Sequence, residues 1–172
     1  MTDRSVHYEA AFEDFLRRRG CPCVPVDQAK RAIFAEAKIK SFDFLVYSSC
    51  GPNLVADVKG RKFTVGPAGA VKGGRAYENW VTREDIESLR QWEQVFGDGF
   101  AAVLVFAYWL QGPLRRAPFQ DIHIFRDRHY AFMGILLGDY VAAAQPRSAK
   151  WQTLCLPTRQ FLQKARDIAA FL

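Results

Sequence analysis

Ten consecutive residues, Ala101 to Leu110 (A-A-V-L-V-F-A-Y-W-L), carry no charge and only one hydroxyl. The run is rich in branched and aromatic side chains and too short for a membrane helix, which needs about 20 apolar residues. A strand exposed on one face alternates polar and apolar positions; a strand without alternation is covered on both faces. This run therefore predicts the centre of a β-sheet with helices on either side. The chain has 172 residues, 49 % of them hydrophobic, enough for one domain spanning 1–172 with a sizeable core.

The surrounding pattern supplies the rest of the layers. Val6, Ala10, Phe12, Phe15 and Leu16 recur at helical spacing over Val6 to Arg19, with Gly20 as a stop and a row of Glu9, Glu13 and Arg17 on the solvated side. Ser41 to Ser48 and Leu54 to Arg61 read as two strands joined by a turn at Cys50-Gly51-Pro52-Asn53, a hairpin. Gly60 to Asn79, with five glycines, reads as a loop. Its G-P-A-G-A-V-K-G-G lacks the Gly-Lys-Ser/Thr ending of a phosphate-binding loop, which excludes a nucleotide-triphosphate site of that type. Thr82 opens a helix with Asp85 at capping-box spacing and Gly97 closes it. Asp121 to Phe125 and His129 to Leu137 are strand-like around an R-D-R turn, Asp139 to Ala144 is a short helix, and Thr158 to Leu172 is a final helix capped by Thr158. The fold class is α/β, a central mixed β-sheet flanked by α-helices.

Four cysteines occur without a C-x-x-C pair, which excludes the common zinc motifs; Cys50 and Cys155 read as small buried hydrophobes. No apolar leader opens the sequence, and the expectation is a cytoplasmic protein. The net charge of +6 favours an anionic partner without specifying one.

Against this apolar background, the stretch Asn53 to Phe63 (N-L-V-A-D-V-K-G-R-K-F) stands out, because Asp57 and Lys59 interrupt an otherwise buried strand. Residues two apart in a strand share a face, so the two charges project together. With the turn at Gly51-Pro52, Asp43 on the neighbouring strand comes within reach of Asp57. Two carboxylates on adjacent strands form the hard oxygen site that magnesium or manganese prefers. The Val58 backbone carbonyl and Glu9, from the first helix, are further candidate ligands. Lys59, beside two carboxylates, stays protonated and suits positioning a water or neutralising charge on a phosphate. The same residues also read as a surface ion pair with an unrelated hairpin aspartate, and a D-x-K tripeptide by itself is frequent by chance.

Glu9 in an N-terminal helix, Asp43 in F-D-F-L-V and Asp57-Val58-Lys59 in A-D-V-K-G-R together resemble the PD-(D/E)xK nuclease superfamily. The likeness is greatest to its restriction-endonuclease-like branch that includes archaeal Holliday junction resolvases. The resemblance spans about Val6 to Leu110; the proline expected before the first aspartate is replaced by Phe42. It implies a Mg2+- or Mn2+-dependent nuclease acting on DNA, branched DNA included, with Asp43, Asp57 and Glu9 on the metal and Lys59 assisting catalysis. It also implies a supporting polar residue on the following helix, for which Gln91 is the candidate. Arg61 and Lys62, read as lying near the end of the active strand, and Lys72 and Arg75, in the glycine-rich loop, are candidate phosphate contacts. Tyr77 and Trp80 read as anchors of that loop; Trp92, Trp109 and Trp151 read as packing residues. A homodimer, with apolar surface near Phe119 to Phe132, would suit paired cuts. Two other classes stay open: a catalytically inactive module of the same fold that binds nucleic acid or protein, and an unrelated α/β protein.

Overall fold

The computed structural model describes residues 6–26, 39–66 and 77–172. In chain order the elements are α1 (Val6–Arg18), β1 (Cys23–Pro25), β2 (Phe44–Val46), β3 (Asn53–Thr64), β4 (Val81–Thr82), α2 (Arg83–Phe96), β5 (Phe100–Gln111), β6 (His123–Phe125), β7 (Arg128–Leu136), α3 (Leu137–Ala143), β8 (Gln145–Ser148), β9 (Thr153–Cys155), α4 (Thr158–Lys164) and β10 (Arg166–Asp167). Seven strands form one sheet in the order β1-β2-β3-β5-β7-β10, with β6 also on β7; β4, β9 and β8 form a small second sheet. β3 and β5 run parallel over their full lengths, from Asn53↔Phe100 to Thr64↔Gln111, and the other neighbours in the large sheet are antiparallel.

β5 lies at the centre, and both faces are covered, as its unbroken apolar composition predicts. Val103, Val105 and Ala107 pack with Phe12, Phe15 and Leu16 of α1 on one side. Ala102, Leu104, Phe106 and Tyr108 pack with Ile86, Leu89 and Trp92 of α2, Tyr140 of α3 and Phe161 of α4 on the other. Each buried Phe, Leu or Ile contributes roughly 1.5–3 kcal/mol relative to exposure. Among the described residues no helix is long and apolar enough to cross a membrane.

Several expectations are corrected. β3 continues to Thr64, so Gly60 to Thr64 is strand rather than loop, and Asp57 and Lys59 sit in mid-strand. The final segment is not one helix: α4 stops at Lys164, β10 pairs with β7, and a 3-10 turn follows over Ile168–Phe171. Phe161 belongs to the core on the α2 face and Ile168 to the core on the α1 face. Seven residues apart, the two would share one face of a continuous helix. Serving both faces requires the chain to cross the sheet edge. Gly134 makes room for the crossing; a Cβ there would stand 2.7 Å from Ile168 Cδ1. Pro157, not Thr158, is the N-cap of α4. Cys50 is exposed in the β2–β3 turn and Cys155 half-buried, so neither is a buried hydrophobe, and all four cysteines are free thiols. Phe119 joins Phe63, Tyr77 and Tyr108 in an aromatic cluster and Phe132 is buried, leaving only Ile124 as an exposed large hydrophobe between them.

The two-residue β6–β7 turn places Arg126 at φ 46° and Asp127 at φ 59°. Both lie in the left-handed region that a type I′ hairpin demands and that Asn-Gly fills best. The Arg126→Asn/Asp127→Gly variant is expected to melt about 2–4 °C higher, which thermal denaturation measures.

Candidate active site

Strand alternation sends Leu54, Ala56 and Val58 toward α1, and Val55, Asp57, Lys59, Arg61 and Phe63 toward α2. The β2–β3 register ends at the pair Phe44↔Ala56, and Asp43, the residue before it, brings its carboxyl to that of Asp57. Two carboxylates held this close repel each other. Both aspartates are buried, at 8 % and 7 % exposure. Asp43 stands just before β2 and remains hydrogen-bonded to the sheet, its N–H donating to the Ala56 carbonyl at 3.0 Å. Its Oδ2 accepts the Val58 N–H at 2.7 Å. Burial pushes the Asp43 carboxyl well above the usual range; the Asp57 and Glu9 charges push it further, the Val58 N–H partly opposes them, and a hydrogen bond joins it to the Asp57 carboxyl.

Lys59 crosses to the same cluster, with Nζ 2.8 Å from Asp57 Oδ2 and 3.2 Å from Asp85 Oδ1. Burial alone would lower its pKa, but Asp57 and Asp85 outweigh burial and raise it, so the ammonium stays charged. Asp85 is the residue that sequence reading assigned to a helix cap alone. It performs that role, Oδ2 accepting the Thr82 N–H at 2.9 Å while the Asp85 N–H donates to Thr82 Oγ1 at 3.0 Å. Its other oxygen meets both Lys59 and Lys40. Burial opposes the Asp85 carboxylate, yet Lys59 and then Lys40 hold it well below the usual range. Ser88, one turn on, accepts the Lys40 N–H at 3.1 Å, and Trp92 Nε1 donates to the Lys40 carbonyl at 2.9 Å. Asp85, Ser88 and Trp92 thus form one stripe of α2 and line a small cleft with Lys40, Ser41 and Asp57. Gln91 lies on the exposed side of α2, so the helix offers Asp85 and Ser88 to the cluster instead.

The other predicted residues are placed as follows. Glu9, on α1, acts on Asp43 by charge. Among the described residues no three His, Cys, Asp or Glu side chains stand together as a metal's ligands would, so Glu9 joins the aspartate pair electrostatically. Tyr8 lies over Gly60, and His7 Nδ1 is 2.9 Å from the Tyr130 hydroxyl. Arg61 and Lys62 leave β3 on opposite faces. Arg61 stacks on Trp80 at 4.1 Å and donates to the Gly60 and Trp80 carbonyls, while Lys62 emerges toward α1 and lies 5.4 Å from the Trp109 ring centre. Lys72 and Arg75 fall outside the described residues.

Asp85→Asn keeps a capping oxygen but removes the charge facing two lysines. Breaking a buried ion pair costs several kcal/mol; with Asp57 still on Lys59, roughly 2–3 kcal/mol is expected, a fall in melting temperature of about 5–10 °C near pH 7. The depressed folded pKa means that this contribution is complete above about 3.8 and is lost as pH falls through the folded value. The gap between wild type and variant therefore narrows in acid melts.

No protein-family model and no curated protein matches the chain. Among solved structures, Hjc, a Holliday junction resolvase from the archaeal hyperthermophile Archaeoglobus fulgidus, is similar to it, with a TM-score of 0.57 at 13 % sequence identity over 96 % of this chain and 98 % of that chain. The likeness establishes the fold, a restriction-endonuclease-like α/β arrangement.

Proposed function

We propose that the chain is a Mg2+- or Mn2+-dependent nuclease that hydrolyses phosphodiester bonds in DNA. The observation that carries this reading is the buried Asp43–Asp57 carboxylate contact with Lys59 bound to Asp57. Nothing in folding favours pressing two carboxylates together away from water, and a divalent cation with hard oxygen preference fits such a pair. The Val58 carbonyl leaves β3 on the same side as the Val58 N–H that holds Asp43, which makes it a third oxygen donor. Magnesium is commonly held by only one or two carboxylates, with water and substrate phosphate completing its shell, so the absence of a third convergent side chain among the described residues is compatible with it. When bound, the ion supplies positive charge against the phosphodiester oxygens and acidity to a water.

The chain's own residues divide the remaining work. Asp43 and Asp57 bind and orient the cation, and Glu9 adds negative potential from the α1 side. Lys59 presents a fixed positive charge beside Asp57, where it steadies an attacking water or the charge developing on phosphate. Asp85 positions that ammonium. Because the fold neighbour is a Holliday junction resolvase, branched DNA is the first substrate to test, and two copies of the chain would make paired cuts.

A second reading, a binding module without catalysis, is favoured by the closure of Lys59 between Asp57 and Asp85. Incubation with Mn2+ or Mg2+ and labelled four-way, single-stranded and duplex DNA separates the two. Cleavage that needs metal and disappears in Asp57→Ala supports the nuclease; equal cutting by the variant sinks it, and metal-independent binding without cleavage supports the module.

A further inference from the structure

Trp151 is 68 % exposed, the most exposed large hydrophobic residue described, so it is not the packing residue its type predicts. It sits at the tip of the β8–β9 hairpin, and the tip is held firmly. The Trp151 N–H donates to Ser148 Oγ at 3.3 Å, the Gln152 N–H and side-chain amide both reach the Ala149 carbonyl, and Gln152 adopts φ 49°. A chain does not hold an indole in water at the cost of a left-handed glutamine for the sake of its core.

The hairpin is joined to the candidate active site through two short chains of contacts. First, the Gln152 carbonyl accepts the Arg83 N–H at 2.9 Å and Thr153 pairs with Thr82, the residue that caps α2 and binds Asp85, the partner of Lys59. Second, Arg147 of β8 stacks on Trp80 at 5.3 Å, on whose ring Arg61, two residues past Lys59, also stacks. Cations accompany the exposed ring: the Lys150 ammonium lies 5.2 Å from its centre, and Arg147 is exposed on the adjoining strand.

We infer that the β8–β9 tip is a nucleic-acid contact, in which Trp151 stacks on an unpaired base while Lys150 and Arg147 hold the neighbouring phosphates. An aromatic platform flanked by cations is the chemistry that grips single-stranded nucleic acid regardless of sequence, since every base has a π-face. The inference rests on the proposed nuclease reading and names the substrate feature that site would take: DNA with unpaired bases, as in forks, flaps and open junctions. A protein partner would match a broad apolar patch better than one indole between cations.

The test is fluorescence-anisotropy binding of the full chain, with Ca2+ in place of Mg2+ so that DNA stays intact, to single-stranded, forked and fully paired oligonucleotides. Trp151→Ala is expected to weaken binding to single-stranded and forked DNA by about tenfold or more and to paired duplex by less than twofold, with Trp151→Phe within about threefold of wild type. Arg147→Ala/Lys150→Ala is expected to reduce the salt slope on single strands by roughly one to one and a half. Unchanged affinity of Trp151→Ala for every DNA, in a protein that still binds and cuts DNA, overturns the hairpin assignment and spares the nuclease reading. Absence of DNA binding by the wild type overturns both, and association of wild type with another protein that Trp151→Ala alone abolishes, without effect on DNA, assigns the tip to a protein instead.

Discussion

Asp43→Asn is expected to abolish metal-dependent DNA cleavage and at the same time to make the protein more stable near neutral pH. The loss follows from removing one of the two carboxylates that would hold the cation in the proposed nuclease. A correctly held ion supplies several kcal/mol of transition-state stabilisation, so a fall of roughly a thousandfold or more is expected. The gain follows from the environment of Asp43. Burial, Asp57 and Glu9 all disfavour its ionised form. A carboxyl with a raised folded pKa contributes its stability below the unfolded value, near 3.8, and loses it as pH rises through the folded value. Near neutral pH this carboxyl therefore costs the native state stability, which a neutral side chain would not. Asparagine presents an oxygen to the Val58 N–H and an amide to Asp57, and carries no charge. Its melting temperature should exceed that of wild type by a few degrees near pH 7, and the gap should close on acidification. Mn2+ should raise the melting temperature of wild type, by shielding the pair, and leave Asp43→Asn unmoved. A variant that melts lower than wild type at pH 7, or one that still cuts, would show that the pair is an ordinary structural contact. Function bought with local instability is the expected pattern at a catalytic site.

How much of this was legible in the sequence depends on the range of the interaction. Alternation along β3 sufficed to put Asp57 and Lys59 on one face, and the Gly51-Pro52 turn sufficed to bring Asp43 within reach of Asp57. Both are consequences of two-residue periodicity and a short hairpin. Asp85 was visible only as a cap, because capping is local and its second oxygen is engaged by lysines 26 and 45 positions away in the chain. The choice between Gln91 and Ser88 was within reach: Ile86, Leu89 and Trp92 define the inward side of α2, and Ser88 lies on it. Arg61 and Lys62 show the same alternation from the other side: adjacent in sequence, they go to opposite faces of β3. The end of the chain resisted prediction because Phe161 and Ile168 satisfy the helical period perfectly; only the need to fill cores on both faces breaks the helix. Trp151 escaped because residue type argues for the core, whereas its position beside a tight turn is a tertiary fact.

Gly60→Ala is expected to be strongly destabilising, although it adds a single methyl group. Gly60 follows Lys59 on β3 and faces α1, where the Tyr8 ring lies directly on its backbone. A Cβ at this position would overlap three atoms of that ring, closer than any real Cβ approaches a neighbour. Tyr8 cannot simply turn aside, because it is buried and meets Tyr130 edge-on at 6.1 Å. The methyl group must therefore push α1 off the sheet. The cost is placed at roughly 3 kcal/mol, the upper part of the range for overpacking a core, or about 6–12 °C in melting temperature for a domain of this size. Displacement of α1 also carries Glu9, the next residue, away from Asp43, so cleavage should fall even at temperatures where the variant remains folded. Tyr8→Ala supplies the control. It removes the ring that collides, so Gly60→Ala introduced on that background should cost less than about 1 kcal/mol, a coupling of roughly 2 kcal/mol in the double-mutant cycle. Additive effects of the two substitutions would place the damage in the strand itself rather than in the seat of α1. Strong coupling would identify Gly60 as the point at which helix α1, and with it Glu9, is held against the acidic pair.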